Sequence, residues 1–408
     1  MTINMDDQYK SFPLEEYKLH YKKLQNEMKN NGIDVLLLST PENIYYATGY
    51  RSWYTSSLFR PVFVMVPPSG DPAIILRILE KTTVQFTSWT PYIYCSGTAS
   101  RNLGNLDATD PVDAVKKILK NHAPSTKTIG IEAGEGLQFF WSLNVLKEIV
   151  DSLPDVKFVD GSSCIQYARM RKTPWEVEKI KTVCKITEKA ILDTGKTIVP
   201  GITTEKDISS GIATRMAACG VDKFSYLTVT SGKMKYCTFN TYATDRVVQK
   251  GDYILVDISG HSDGYASDLT RVFYIGKAPA AEFEMAEIAS SSVIAGKNAM
   301  KPGVKVSDIN RICESTITNS KFKDALVHSS GHSIGLNVVE FPTINDDTHT
   351  VLEPGMVFAV EQGVYPFDLA KGAESIYLSF RMEDEVLVTS DGSEWITGPG
   401  QPIIEIDI

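Results

Sequence analysis

Short, uninterrupted apolar runs bounded by turn-forming residues are the feature that most restricts how this chain can fold. Val35–Leu38 is one such run, and others occupy residues 61–66, 72–76 and 128–131. Runs of this length with little polar alternation are typical of strands that are buried on both faces of a sheet. The first part of the chain is therefore predicted to contain a largely buried sheet.

Helical patterns lie between these runs. Residues 14–30 carry apolar side chains on one helical face, and Asn31-Gly32 is a stop signal because both residues tolerate a positive φ. Residues 112–119 also have a helical pattern, whereas Thr40-Pro41 is predicted to be a turn after the first strand. Helices that alternate with buried strands predict an α/β fold for this region.

The predicted boundary between two domains lies just before a strong helix-start signal. A chain of 408 residues is longer than one hydrophobic core usually supports, so two domains are expected. Thr173 and Pro174 are typical of the N-cap and first residue of a helix, with Glu176 in its acidic first turn. We therefore predict an N-terminal domain at residues 1–168 and a second domain at residues 169–408.

The second domain mixes strand-like runs with helical segments and reads as an α+β fold with antiparallel strands. Its predicted strands are at residues 252–258, 272–275, 356–360 and 385–388, and its predicted helices are at residues 281–300 and 306–318.

Charge and hydropathy exclude several classes of protein. The net charge of −9, with no cluster of Lys and Arg, argues against a nucleic-acid partner. The apolar runs are far below membrane-spanning length, and residues 1–9 lack the apolar core of a signal peptide. The cysteines are scattered, which predicts reduced thiols in a cytoplasmic protein. They are Cys95, Cys164, Cys184, Cys219, Cys237 and Cys313.

Five metal-capable side chains stand at strand-like segments of the second domain. Asp257 interrupts an apolar run, so its carboxylate is expected where water is scarce and where it needs a cation or a full set of donors. Asp268 precedes the next strand, and a tight turn would bring the two acids together. His332 lies among small residues. Glu361 ends one apolar run, and Glu383 opens the last strand.

Each of these residues has an ordinary explanation when it is taken alone. A single acid at a strand end is usually a cap or a turn former, and a single histidine is more often structural than a ligand. Together, four carboxylates and one imidazole favour Mn²⁺, Co²⁺, Fe²⁺ or Zn²⁺ over a soft-metal site. Two ions would be needed to offset so much negative charge in a partly buried pocket.

The motifs around these residues resemble the creatinase/prolidase/aminopeptidase P family in both order and spacing. The resemblance covers most of the chain, beginning at residues 41–50 and continuing through Gly251-Asp252, residues 331–336 and residues 353–356 to residues 381–384. It implies an α/β N-terminal domain followed by an α+β catalytic domain with the pita-bread fold.

The resemblance also implies that the five metal-capable residues are the ligands of two divalent ions. Asp268 and Glu383 would bridge the ions. Asp257 would complete one ion's shell, and His332 with Glu361 would complete the other. A hydroxide held between two ions would be a nucleophile at neutral pH, because metals lower the pKa of water. Glu361 would take a proton as general base and pass it to the leaving nitrogen.

Two positions depart from the peptidase pattern. Peptidases of this family carry a histidine six residues before the Arg246 position, where Asn240 stands here. They carry another before the Glu340 position, where Val339 stands here. In the peptidases these histidines contact the substrate or stabilise the oxyanion. Asn240 can still donate a hydrogen bond and is predicted to bind substrate, whereas the side chain of Val339 cannot donate.

Further residues are predicted to act on the substrate. His328 is close enough in sequence to reach the site, either as a catalytic residue or as a supporting one, and Arg381 is predicted to bind substrate. In this family a partner subunit's N-terminal domain often lines the pocket. Trp53 and Tyr54 could then cover a cationic or ring-shaped substrate, and Arg60 could hold a carboxylate. The alternative is that these aromatics pack in the interface of a homodimer.

The leading hypothesis is a hydrolase of the Xaa-Pro peptidase type, which uses two metal ions to cleave an amide bond of a small substrate or short peptide. Because Asn240 and Val339 replace the peptidase histidines, a non-peptidase relative is the alternative. It would be a creatinase-like or ectoine-hydrolase-like C–N hydrolase, or an enzyme like dimethylsulfoniopropionate lyase. A non-catalytic binding module is disfavoured because all five ligands are present. Neither a nucleic acid nor a membrane is expected as a partner.

Overall fold

The computed structural model describes residues 11–57, 59–96, 106–232, 240–366, 370–371 and 378–407. The chain divides into two compact units, Met1–Arg169 and Met170–Ile408. Two features used in the sequence analysis, residues 1–9 and Cys237, lie outside the described residues.

The first unit contains a mixed sheet and the helices that accompany it. Its strands are β1 (Val35–Leu38), β2 (Phe63–Val66), β3 (Ala73–Leu76), β4 (Tyr92–Cys95), β5 (Thr128–Ile131) and β6 (Lys157–Asp160). Its helices are α1 (Leu14–Asn30), α2 (Pro41–Thr48), α3 (Lys81–Thr87), α4 (Pro111–His122), α5 (Leu143–Asp151) and α6 (Ser162–Met170), which ends at the start of the second unit. The strand order is β4-β3-β2-β1-β5-β6.

The apolar runs of the first unit form the centre of its sheet. Strand β1 pairs antiparallel with β2 and parallel with β5, and all four of its residues are buried. Each fully buried leucine in such a strand contributes about 1.5–3 kcal/mol to stability. The predictions for β1, β5 and α1 are confirmed to the residue. The predicted turn at Thr40-Pro41 is instead the start of helix α2, where Pro41 occupies the first turn.

The second unit contains a larger, mainly antiparallel sheet. Its strands are β7 (Lys223–Ser231), β8 (Tyr253–Ser262), β9 (Tyr265–Ala266), β10 (Leu269–Ile275), β11 (Gly331–Ser333), β12 (Glu340–Thr343), β13 (Val357–Val364), β14 (Phe380–Val388), β15 (Ser393–Trp395) and β16 (Ile404–Ile406). Its helices are α7 (Pro174–Gly195), α8 (Glu205–Ala218), α9 (Ala280–Ala299) and α10 (Val306–Thr318).

The main path of this sheet runs β12-β11-β13-β14-β10-β8-β7, with β9, β15 and β16 attached beside it. Helix α9 packs against β13 and β14, while α7 packs against β8, β9 and β10. Antiparallel strands with helices packed on them confirm the predicted α+β class of this unit. The strands predicted from sequence lie within or overlap β8, β10, β13 and β14.

Helix α7 begins as its sequence predicts. The Thr173 hydroxyl accepts from the backbone N–H of Glu176, and the Glu176 carboxylate accepts from the backbone N–H of Thr173. This reciprocal capping satisfies two amides that would otherwise have no partner at the helix start. Proline at the first helical position loses no hydrogen bond there.

The described cysteines all carry free thiols, as predicted; they are Cys95, Cys164, Cys184, Cys219 and Cys313. Among the described residues, none of the helices combines the length and the apolar composition needed to cross a bilayer.

Candidate active site

Four neighbouring strands place polar side chains in one row across the second sheet. Thr270 on β10 is the cross-strand partner of Asp257 on β8 and of Glu383 on β14. Glu383 is in turn opposite Glu361 on β13. Residues directly opposite each other project from the same face of a sheet. Strand pairing therefore gathers three of the predicted ligands, which are up to 126 residues apart in sequence, on one face.

Asp268 and His332 lie beside this row. Asp268 precedes Thr270 by two residues, and His332 on β11 is paired with Ala359, two residues before Glu361. The His332 Nε2 atom lies 3.6 Å from Asp268 Oδ2 and 3.8 Å from Glu361 Oε1. One ligand atom from each of Asp268, His332 and Glu383 lies within 4.8 Å of the others.

The clustered side chains face a cavity of about 790 Å³. Eight residues predicted to act in the site line it: Asn240, Asp257, Asp268, His328, His332, Glu361, Arg381 and Glu383. The remaining lining residues are Ser225, Tyr226, Val327, Ser329, Val338 and Val339. The cavity is thus acidic at its base and partly apolar on its walls.

Burial and mutual repulsion disfavour the ionised carboxylates of this cluster. Burial, and then the neighbouring charge of Asp257, raise the pKa of Asp268 well above its usual value. Burial, followed by the charges of Asp268 and Glu361, does the same to the pKa of Glu383. The pKa of Asp257 is also raised by burial, although Arg381 opposes the shift. Such a site favours a bound cation, because a cation offsets the repulsion.

The donor set fits divalent metal ions. Among the described residues, the buried Oδ1 atom of Asp257 has no hydrogen-bond partner. His332 Nδ1 lies 3.2 Å from the carbonyl oxygen of Ser333, and since a carbonyl only accepts, Nδ1 carries the hydrogen and Nε2 is left to bind a metal. Carboxylate oxygens with one imidazole nitrogen suit Mn²⁺, Co²⁺, Fe²⁺ or Zn²⁺.

Hydrogen bonds hold these side chains in place. Thr270 Oγ1 donates to Glu383 Oε2 at 2.8 Å, and the phenol of Tyr226 donates to Asp268. The backbone N–H of Asp268 donates to Glu385 Oε1 at 2.7 Å. Burial raises the pKa of Glu385 to about 7. These hydrogen bonds from and to Thr270, Tyr226 and Glu385 therefore hold the Asp268 and Glu383 residues of the cluster in place.

Arg381 and His328 line the cavity, and neighbouring groups hold both side chains. The Arg381 guanidinium donates to Oδ2 of Asp257, so it binds one of the two oxygen atoms of that carboxylate. His328 Nδ1 lies 2.7 Å from the carbonyl oxygen of Ser329, and its Nε2 lies 2.9 Å from the Tyr365 hydroxyl. Because a carbonyl oxygen only accepts, Nδ1 carries the ring hydrogen. Nε2 of the neutral ring then accepts a hydrogen bond from the Tyr365 hydroxyl. Both side chains are fixed in orientation at the cavity wall.

The two positions that depart from the peptidase pattern both reach the cavity. Asn240 is exposed, and the Val339 side chain is 58% exposed. Val327 and Val338 line the same cavity, so Val339 is part of an apolar wall. An exposed apolar side chain inside a cavity contributes by contact with a ligand rather than by hydrogen bonding.

Trp53, Tyr54 and Arg60 belong to the first unit, where they contact one another. The Arg60 guanidinium carbon lies 5.6 Å from the Trp53 ring centre and 5.4 Å from that of Tyr54. Trp53 is 74% exposed, whereas Tyr54 is buried. Their predicted role beside a substrate stays a prediction.

Ser225 and Tyr226 are cavity residues that the sequence analysis did not find. Neither is an acid or a histidine, so neither stands out in the sequence as a metal-capable residue. Their common orientation depends on a register shift between β7 and β8, which no spacing in the sequence reveals.

Comparison with known proteins places both units of the chain among related sequences. Residues 178–390 match the model of metallopeptidase family M24, and residues 21–171 match that of the creatinase/prolidase N-terminal domain. An Xaa-Pro dipeptidase of Pyrococcus furiosus is 27% identical over 381 residues, which cover 93% of this chain and 98% of the relative. An Xaa-Pro dipeptidase of Lactobacillus helveticus is 26% identical over 381 residues, 93% of this chain and 96% of the relative.

The fold is shared with solved structures. An Xaa-Pro dipeptidase from Bacillus anthracis superposes with a TM-score of 0.80 at 23% identity, covering 96% of this chain and all of the other. The predicted two-domain fold class, with an α/β N-terminal domain and a pita-bread second domain, is confirmed.

Proposed function

The chain belongs to metallopeptidase family M24 and is a metallohydrolase, and from this we propose that it is a dinuclear-metal enzyme of the Xaa-Pro peptidase type. Its substrate would be a short peptide or another small amide. The observation that carries this proposal is the convergence of four carboxylates and one imidazole on a single cavity. Two relatives matched over more than nine-tenths of their length are Xaa-Pro dipeptidases, which supports the substrate class.

Two divalent ions are proposed as the cofactors. Asp257, Asp268, His332, Glu361 and Glu383 would hold them. Two ions offset more of the charge of four clustered carboxylates than one ion does. When bound, divalent ions lower the pKa of water and polarise a carbonyl oxygen.

Glu361 is proposed as the proton carrier. Its side chain is 22% exposed, against 2% for Asp268, so it reaches both the ligand cluster and the open cavity. A carboxylate in that position can accept a proton from water and deliver it to the leaving nitrogen. His328, held by Tyr365 and the Ser329 carbonyl, is proposed to position the substrate, as are Asn240 and Arg381.

A second candidate function is a non-peptidase hydrolase or lyase on the same scaffold. The apolar wall formed by Val327, Val338 and Val339 favours it, because a peptidase of this family has a histidine where Val339 stands. Losing one donor to the oxyanion typically costs about 2.7–4 kcal/mol of transition-state stabilisation. A substrate that needs no donor at this wall would suffer no such loss.

The cellular setting belongs to the same proposal. We propose a cytoplasmic homodimer, supported by the free thiols of the described cysteines and by the exposed Trp53 beside Arg60.

A substrate panel with metal analysis tests the proposal. Protein purified without chelator is expected to contain a divalent metal, and its removal should lower the thermal midpoint, because an ion that binds only the folded state stabilises it. With Mn²⁺ restored, Xaa-Pro dipeptides should be cleaved faster than creatine, cyclic amidines or dimethylsulfoniopropionate. Absence of bound or activating metal would refute the metal site, and turnover of only the non-peptide compounds would favour the second candidate.

A further inference from the structure

Ser225, in the wall of the same cavity, forms a polar pair with the buried His261, apart from the ligand cluster. Ser225 lines the cavity, and its Oγ atom lies 2.7 Å from His261 Nε2. His261 is only 2% exposed, whereas Ser225 is exposed. A buried imidazole therefore holds an accessible hydroxyl group.

A β-bulge explains why Ser225 reaches the cavity. In the pairing of β7 with β8, Phe224 lies opposite Gly260. The next paired residue, Tyr226, lies opposite Ser259, so Ser225 is the additional residue between them. Successive side chains of a regular strand point to opposite faces, but a bulge re-aims a side chain. Ser225 and Tyr226 consequently both line the cavity.

The partners of His261 fix the direction of the Ser225 hydrogen bond. His261 Nδ1 lies 3.3 Å from the carbonyl oxygen of Gly264. Because a carbonyl oxygen only accepts, Nδ1 carries the ring hydrogen, and Nε2 of the neutral imidazole is an acceptor. The Ser225 hydroxyl then donates its one hydrogen to Nε2. Toward the cavity, Ser225 Oγ offers lone pairs only.

The strand order gives this acceptor a defined place in the site. Strand β7 is at one end of the sheet path, and the β11–β12 segment that carries Val338 and Val339 is at the other. The carboxylate cluster lies on the strands between them. Along the sheet path, the acceptor and the apolar wall thus lie on opposite sides of the carboxylate cluster.

We propose that Ser225 is a specificity-determining residue that accepts a hydrogen bond from the protonated amino group of a short peptide. An oxygen atom that offers only lone pairs needs a hydrogen-bond donor as its partner, and a hydrogen bond with a charged donor is stronger than a neutral one. An apolar C-terminal residue would then lie against Val339. This inference rests on the proposed peptidase function and adds to it the side chain that recognises the amino terminus of the substrate.

The test compares two substrates that differ only in the amino group, alanyl-proline and propionyl-proline. With the Mn²⁺-loaded enzyme, alanyl-proline should have the higher kcat/KM. Ser225→Ala should reduce the ratio of the two kcat/KM values about 10-fold or more, mainly through KM for alanyl-proline. Ser225→Thr keeps the hydroxyl and should keep most of the ratio. Ser209→Ala, a serine of α8 bonded to the Leu227 carbonyl, is the matched control and should keep the wild-type ratio.

An unchanged ratio in Ser225→Ala, or an equal loss with both substrates, would overturn the inference while leaving the peptidase function intact. If the wild-type enzyme cleaves neither compound, the peptidase proposal fails and Ser225 is judged by calorimetric binding of the same two compounds. Tighter binding of alanyl-proline that is lost in Ser225→Ala supports the role of Ser225. Equal binding of the two compounds, or none, overturns it.

Discussion

At the scale of single residues, the predicted ligands differ in how far they reach into the cavity. Asp268 and Glu383 are almost fully buried, and each accepts a hydrogen bond from a neighbouring hydroxyl group, Tyr226 and Thr270 respectively. Glu361 is the more exposed acid. This difference separates residues suited to hold a cation from a residue that can also exchange a proton with a substrate.

Glu361→Gln should therefore abolish most of the activity and leave the fold intact. The amide keeps the size of the side chain but cannot accept and return a proton, and loss of a general base typically costs about 10²–10⁴-fold in rate. The measurement is kcat with saturating Mn²⁺, together with circular dichroism and metal content.

Glu353→Gln is the matched control for this substitution. Glu353 pairs with Arg171 at 2.7 Å on an exposed surface, and such pairs contribute about 0–1 kcal/mol. We expect wild-type turnover in this variant. Turnover near the wild-type value in Glu361→Gln would remove Glu361 from the proton-transfer role.

Val339 and Asn240 are the residues at which the substrate side of the cavity departs from the peptidase pattern. Replacing both with histidine should raise the rate of Xaa-Pro cleavage by at least about 10-fold. A well-placed donor to a developing oxyanion typically raises kcat by about 10²–10³-fold. The kcat/KM for an Xaa-Pro dipeptide is the measurement, with each single variant as control. An unaltered kcat/KM in the double variant would show that these positions do not limit peptide cleavage.

At the scale of helices and strands, the sequence predicts best those elements whose signals are local. Helix α7 has its capping box and proline within four residues, and α10 was predicted to the residue. Helix α8 was missed although Thr204 caps it, because its Ser209-Ser210-Gly211 segment interrupts the apolar periodicity on which the prediction depended.

The pairing and register of the strands that carry the site could not be predicted from the sequence. The apolar runs placed Asp257 and Glu361 on strands, but the register that sets Glu383 opposite both Glu361 and Thr270 comes from strands more than twenty residues apart. The bulge at Ser225 is a register feature of the same kind. The family resemblance led to the ligand set, whereas the cavity wall needed the structure.

The close approach of β11 to β13 gives a prediction for Gly331. Its φ is +116°, and an added Cβ would lie 2.1 Å from the carbonyl oxygen of Ala359. Gly331→Ala should lower the free energy of unfolding by about 3 kcal/mol through this clash and backbone strain. It should also weaken metal binding, because His332 is the next residue. Denaturant unfolding and metal titration measure the two effects.

Gly392→Ala is the control for that substitution, since an added Cβ there meets no atom within 4 Å. Its stability should stay within about 0.5 kcal/mol of the wild type. Wild-type stability and metal affinity in Gly331→Ala would show that β11 can move away from β13 at little cost.

At the scale of the whole molecule, the first unit carries a surface cluster of Trp53 and Arg60 beside the buried Tyr54. Trp53 is largely exposed, and Arg60 lies over both the Trp53 and Tyr54 rings. Exposed Trp and Arg side chains are enriched where proteins bind one another. If the molecule is a homodimer in which this cluster completes the partner's substrate pocket, two differently inactivated chains should restore each other's activity.

We therefore predict complementation between Glu361→Gln and Arg60→Ala. Each variant alone should be impaired, the first in kcat and the second in KM for a substrate with a free carboxylate. After co-expression, a mixed dimer contains one pocket with an intact Glu361 and the partner's intact Arg60. Random pairing makes about half of the dimers mixed, so about a quarter of all pockets should be fully active. Activity equal to the mean of the separate variants would mean that Arg60 serves its own chain's pocket or none, and light scattering of the same samples would report whether dimers form.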